Sequence, residues 1–225
     1  SISRNVILSG GNYEGMQLRK ICLELRDMTN TSFDNCDFRD SKIINCNVNG
    51  SSFKNAILRN VEVEQTDFSN ADLSGAILDN INTKYFKNAE GENIDILNTK
   101  LTSVLKGGNN TYHTCKLNKK VSYVGTNWSN NDISGMVFKD MDLSNCVFIN
   151  TVLDNCIIRN CFGSNVIFQN CSVTNTVFFN NRFMKSTFMN INFEILWKLR
   201  LKKSIMSECT FPIKTNIMLL NVRVV

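Results

Sequence analysis

A large apolar side chain recurs at every fifth position from Leu8 to Leu78, through residues such as Leu18, Met28, Phe33, Phe53, Phe68 and Leu73. The same phase returns at Tyr123 and continues through Trp128, Phe148, Phe168 and Phe188 to Phe193, with Gly163 the one gap. An α-helix repeats every 3.6 residues and a β-strand every 2.0, so neither alone gives a period of five. A fixed period sustained this long is the signature of a repeat architecture, in which each unit buries its apolar side only against its neighbours.

The rest of the unit follows the same phase. Two residues before the large centre the chain is mostly small, as at Thr31, Cys36, Ser41, Ser51, Ala56, Ala71, Cys146 and Thr151. Two residues after it stand Asn, Asp or Gly in most units, including Asn30, Asn45, Asn70, Asn150, Asn160 and Asn170. These residue types tolerate positive φ and bond locally to the backbone, so each unit should end in a turn. A short extended stretch with two inward residues, followed by a turn, predicts a coil that changes direction once per unit.

The clearest stretch, Thr66 to Asn80 (TDFSN ADLSG AILDN), resembles the A(D/N)LXX motif of the pentapeptide-repeat family. The resemblance covers 6–85 and 121–195. It implies an all-β fold, a right-handed quadrilateral β-helix with four units and twenty residues per coil. Centres twenty apart would then stack, placing Phe33 on Phe53 and building an aromatic ladder from Trp128, Phe148, Phe168 and Phe188.

A continuous repeat argues for a single domain over 1–225. Within it, 6–85 and 121–195 are regular, while 86–120 break the frame. The shifted phase there predicts insertions between coils. The polar piece Lys106 to His113 reads as a loop protruding from a corner. After Phe193 the regular pattern ends. The run Glu194 to Met206 has Trp197, Leu201 and Ile205 at four-residue spacing and few turn residues, which predicts a short amphipathic helix. With the apolar tail Ile217 to Val225 it would form a helical and apolar cap over 196–225. The family's habit of pairing through C-terminal coils implies the other use of that end, so a monomer or a C-terminal homodimer is expected.

Composition narrows the function classes. The single proline, Pro212, suits strands that must keep donating their N–H groups. There is no stretch of eighteen apolar residues and no basic region leading into an apolar run, so neither a membrane span nor a signal peptide is visible. Of nine cysteines, Cys36, Cys46, Cys146, Cys156, Cys161 and Cys171 occupy the small inward position, no C-x-x-C occurs, and no two lie twenty apart. They read as reduced core residues rather than metal ligands or disulfides, which points to a reducing compartment, the cytoplasm or a host cytosol.

Phosphate-binding, dinucleotide-binding, zinc-protease and nucleophile-elbow motifs are absent, and His113 is the only histidine. No catalytic, cofactor or metal residues are predicted, and an enzyme is not expected. Residues 1–100 carry 11 basic and 14 acidic side chains, whereas 101–225 carry 14 basic and 6 acidic. The candidate partner contacts are therefore the polar segment with Asn109, Tyr112 and His113 and the basic segment with Lys198, Arg200, Lys202 and Lys203. The expected partner is a protein. Nucleic acid is disfavoured, because the aromatic residues belong to the core rather than alternating with the exposed charges.

The resemblance implies three roles: an interaction scaffold such as a secreted bacterial effector, the targeting domain of a larger enzyme, or a DNA-mimicking gyrase protector of the quinolone-resistance type. Mimicry of duplex DNA requires a strongly negative surface. A formal net charge of +5 opposes it.

Overall fold

The computed structural model describes residues 9–86, 89–102, 104–105, 107–212 and 217–224, without the side chains of 197 and 198. They fall into two compact units, Ser1–Lys116 and Leu117–Val225. Both are built from short parallel strands in which successive coils lie side by side.

In the first unit, the strands Cys22–Glu24, Lys42–Ile44 and Glu62–Glu64 form one sheet, and Ile57–Arg59, Ile77–Asp79, Asp95–Leu97 and Thr111–His113 form another. Register shows the coil length directly: Leu23 lies beside Ile43 and Ile43 beside Val63, twenty residues per step. Each strand buries its middle residue and exposes its flanks, the alternation of an extended chain. Corners fall every five residues, where Asn30, Asn35, Asn45, Asn55 and Asn60 hold φ between 52° and 58°. Asparagine enters this left-handed region at low cost, which accounts for its abundance at the last position of the unit.

The small inward row carries a second interaction that its residue types explain. Ser41 Oγ donates to the Leu18 carbonyl and Ser51 Oγ to that of Met28, both at 2.6 Å and both 23 residues back. The same oxygens accept from the amides of Ile21 and Thr31. Cysteine does likewise: Cys146 Sγ donates to the Tyr123 carbonyl at 3.1 Å and Cys156 Sγ to that of Ile133 at 3.2 Å. Polar atoms in the core are thereby bonded, and the burial they require is not penalised.

Frame breaks arise from shortened coils, not from the insertions that the sequence suggests. Ile77 pairs with Asp95 and Asp95 with Thr111, steps of 18 and 16 residues in place of 20. Phe86 follows a single 3-10 turn, Thr83–Tyr85, and its ring stacks 4.2 Å from that of Phe68. The described part of the segment expected to protrude is packed down. Gly107 (φ +117°) lies so close to the neighbouring coil that a Cβ there would fall 1.9 Å from the Gly91 carbonyl oxygen. Buried Asn110 accepts from the Ile94 amide at 3.0 Å and donates to the same Gly91 oxygen. Lys106 lies outside the described residues.

The second unit repeats the pattern with aromatic centres. Trp128, Phe148, Phe168 and Phe188 form the expected ladder, with ring centroids 6.2, 4.6 and 5.2 Å apart in turn. At one corner, Asn190, Asn170, Asn150 and Asn130 form a parallel ladder, each amide donating to the one before at 3.1–3.2 Å. A six-stranded sheet comprises Val137–Lys139, Ile157–Arg159, Val177–Met184, Ile195–Lys202 and Ile217–Leu220, with Phe162–Ser164 also paired to Val177–Met184.

The helix predicted after Phe193 is instead a strand, Ile195–Lys202, followed by another, Ile205–Ser207. Among the described residues there is no α-helix. The repeat does not stop there. It slips, placing the next centre three residues on, at Leu196, and resumes at Leu201, Met206 and Phe211. Leu196 pairs with Phe178, Leu201 with Phe183 and Met206 with Phe188, so these coils are 18 residues long. Of the residues at four-residue spacing, Leu201 is buried and Ile205 exposed, so they share no one side, while the Trp197 side chain lies outside the described residues. The preceding coil offers a full row of backbone groups, and pairing with it overrides local helical preference. The tail also differs from the expected cap, because Ile217–Leu220 and Arg223–Val224 extend the pairing and leave Leu219 and Val224 exposed.

Candidate interaction face

Outward side chains of a coil meet no packing demand, so their chemistry reports on use. On the six-stranded sheet they are unusual. Val137, Ile157, Phe179, Phe162, Met184, Met218 and Leu220 are large, apolar and exposed, with Phe162 at 51% and Met218 at 58%. Single exposed apolar residues need no explanation, whereas a contiguous group marks an interaction site.

Cations accompany these residues. Arg159, on the unit before the Asn160 corner, lies over the ring of Phe179, 5.4 Å from its centroid. Arg182, Arg200 and Lys202 make no ion pair with any described residue, unlike the first unit, where Lys42 pairs with Glu62 and Arg59 with Asp79. These three cations line a groove of about 510 Å³, together with Phe162, Gly163, Met184, Met218 and Leu220. Among the described residues no carboxylate lines it.

Gly163 lies on the floor of this groove. It occupies a centre position, pairing with Phe183 in the next coil, yet a Cβ on it would meet the Ser144 amide nitrogen at 2.8 Å and the Leu143 carbonyl carbon at 2.9 Å. The strand there lies too close to the coil below to carry a side chain.

The structure places the sequence candidates unevenly. Arg200 and Lys202 line the groove; Lys203 is exposed at the adjoining corner, with φ 49°. The side chain of Lys198 lies outside the described residues. In the first unit, Asn109 and His113 are exposed, and His113 Nε2 is 3.8 Å from an Asp95 carboxylate oxygen. Tyr112 is not a surface contact. It is the fully buried middle residue of Thr111–His113, paired with Ile96, and burial pushes its phenol pKa up. Sequence reasoning missed Phe162, Arg182 and Met184, although the gap at Gly163 marked the spot.

Chemically the chain offers little reactivity. Burial pushes the thiol pKa up to about 12 for Cys115 and Cys156 and about 11 for Cys146, Cys161 and Cys171, so these are not thiolates at neutral pH. Among the described residues no group of three or more His, Cys, Asp or Glu side chains could hold a metal ion. No described helix is long and apolar enough to cross a membrane.

Comparison with known proteins agrees with the repeat. Among solved structures the chain is similar to HetL from the cyanobacterium Nostoc sp. strain PCC 7120, a pentapeptide repeat protein involved in heterocyst differentiation regulation. Identity is 13%, coverage 97% of this chain and 88% of that one, and TM-score 0.37. It is also similar to QnrB1, a plasmid-mediated fluoroquinolone resistance protein, at 16% identity, 96% and 88% coverage and TM-score 0.35. A pentapeptide repeat protein of the Arabidopsis thaliana thylakoid lumen matches at 17% identity, 52% and 64% coverage and TM-score 0.26. No curated protein matches the chain significantly. The family model for the pentapeptide repeat region matches residues 24–96, and the five-residue unit found there continues beyond that match through both units.

Proposed function

We propose that this chain is a non-catalytic interaction scaffold whose coils have the right-handed, four-sided course of the family, and whose second unit presents the basic, apolar sheet face to a protein partner. The supporting observation is the coincidence of exposed Phe162, Met184 and Met218 with Arg182, Arg200 and Lys202, with no carboxylate among the described residues lining the groove. Elsewhere in the unit the interior is filled by stacked rings, leaving the outward positions as the place where function is carried. A partner with an acidic surface satisfies the cations. The charge sign of this face weighs against the gyrase-protector reading, which requires negative charge.

The test is affinity capture with the wild-type chain and with Arg200→Glu/Lys202→Glu, using Lys119→Glu/Lys120→Glu as a charge-matched control away from the groove. The expected result is a partner retained by wild type and control and lost by the groove variant. Capture should also weaken as salt rises, because the Debye length falls from about 10 Å at 0.1 M to about 3 Å at 1 M. Identical partners from all three proteins would remove this face from the reading.

A further inference from the structure

The groove has a shape as well as a charge. Its two walls are neighbouring outward rows of the same strands. Phe162, Arg182, Arg200 and Met218 form one row, and Ser164, Met184, Lys202 and Leu220 the other. Residues two apart on a strand are separated by roughly 6.6 Å, which sets the width. From Ser144 to Leu220 the lining crosses four coil steps, and at about 4.8 Å per step it runs for roughly 19 Å. Between the rows the floor is formed by Gly163, Phe183 and Leu201 of the centre row.

This geometry selects among occupants. An α-helix is about 10–12 Å across and rides above so narrow a channel. A bilayer binds apolar groups that protrude 5–10 Å into it, whereas here they wall a concavity. An extended chain fits: about six residues span the length at roughly 3.3 Å each. The walls offer it no backbone pairing, because their amides already bond between coils. Arg182 donates to the Cys161 carbonyl at 2.9 Å, Lys185 to that of Lys202 at 2.8 Å and Lys203 to that of Leu220 at 2.9 Å. Recognition must therefore run through side chains, while the occupant's own backbone stays hydrated on the open side, as in polyproline II.

Resting on the scaffold reading above, we propose that this trough seats an extended acidic peptide segment of about six residues, with a large apolar side chain over Gly163 and carboxylates on Arg182, Arg200 and Lys202. Arginine favours planar, two-pronged contact with a carboxylate, and methionine walls adapt to differently shaped apolar anchors.

Fluorescence anisotropy with labelled hexapeptides tests this. An alternating Asp/Phe peptide is compared with versions in which Asp becomes Ser, Phe becomes Ser, or Asp becomes Lys. The expected result is saturable binding of the Asp/Phe peptide alone. Affinity should fall about tenfold in Arg182→Glu/Arg200→Glu, as for two exposed ion pairs lost. Ser164→Trp blocks the trough from an outward, half-exposed position without touching the core and should abolish binding. Equal binding of the Lys/Phe peptide, or of the Asp/Ser peptide, would overturn the proposal. So would arginine-dependent binding to phosphatidylserine vesicles with none to the peptide. If no peptide binds while affinity capture still depends on Arg200 and Lys202, the extended segment is wrong and the scaffold reading stands.

Discussion

The rings of Phe148 and Phe168 lie 4.6 Å apart and parallel within 2°, one coil above the other. Phe168 also stacks on Phe188 and meets Phe178 and Phe183 edge-on, so it joins three coils. Phe168→Ala should cost about 3–5 kcal/mol of stability, the usual loss for a buried aromatic. Phe168→Leu should cost distinctly less. Chemical denaturation of both variants checks this, and equal losses would mean that ring stacking adds nothing beyond volume.

Thiol reactivity separates the cysteines by place in the coil. Cys22 is exposed, whereas Cys36, Cys46, Cys115, Cys146, Cys156, Cys161 and Cys171 are buried. Under native conditions near neutral pH, a thiol reagent should label Cys22 promptly and the buried seven only on unfolding. Mass spectrometry of partially labelled protein reads this directly; prompt labelling of Cys156 would contradict its packing.

Asp37 gives a pH dependence. Its carboxylate is held by hydrogen bonds from Arg39 and Arg19, with Arg guanidinium to carboxylate distances of 2.6 and 2.5 Å, and its pKa is pulled down to about 2. A carboxyl that is more acidic folded than unfolded stabilises the fold above its ordinary pKa, near 4, and loses that contribution as pH falls towards 2. The carboxylate is 4% exposed but its arginines are 50% and 34% exposed, so screening reduces the effect to about 1–2 kcal/mol. Asp37→Asn should therefore be less stable than wild type at neutral pH, and the gap should close between pH ~4 and ~2. A gap unchanged over that range would show that the ion pairs do not matter.

Corner residues make a further case. Asn45 sits at φ 53° and is exposed. Asn45→Gly should be nearly neutral, while Asn45→Val should destabilise by about 1–2 kcal/mol, since a branched side chain is disfavoured in the left-handed region. Thermal melts of the pair test whether the turn, not the side chain, is required.

These predictions draw on parts of the molecule that the sequence revealed to different degrees. The centre row was readable because burial demands a large apolar residue at each place, and the columns Phe33–Phe53 and Trp128–Phe188 follow from a twenty-residue step. The strand Ile195–Lys202 was not. A three-residue step from Phe193 to Leu196 breaks the count, and the exposed Ile205, four residues after the buried Leu201, imitates a helical stripe. Tyr112 was misplaced for a related reason: among polar neighbours its inward position shows only once Ile96 is known to lie beside it. The groove was least legible. Its walls are outward residues, free to vary, and a glycine gap does not say whether the backbone or a neighbour fills the space.

The hydrogen bond from the small inward position to the carbonyl 23 residues back has an evolutionary consequence. At Ser41, Ser51, Cys146, Cys156 and Thr151 the requirement is only a small group with one hydrogen to give. Asn181 meets the same need, donating to the Ile158 carbonyl at 2.8 Å. Serine, threonine and cysteine are therefore near-synonyms at these places, and substitution among them is close to silent. The thiols of such a coil are thus accounted for by size and by this one hydrogen bond, as the hydroxyls are.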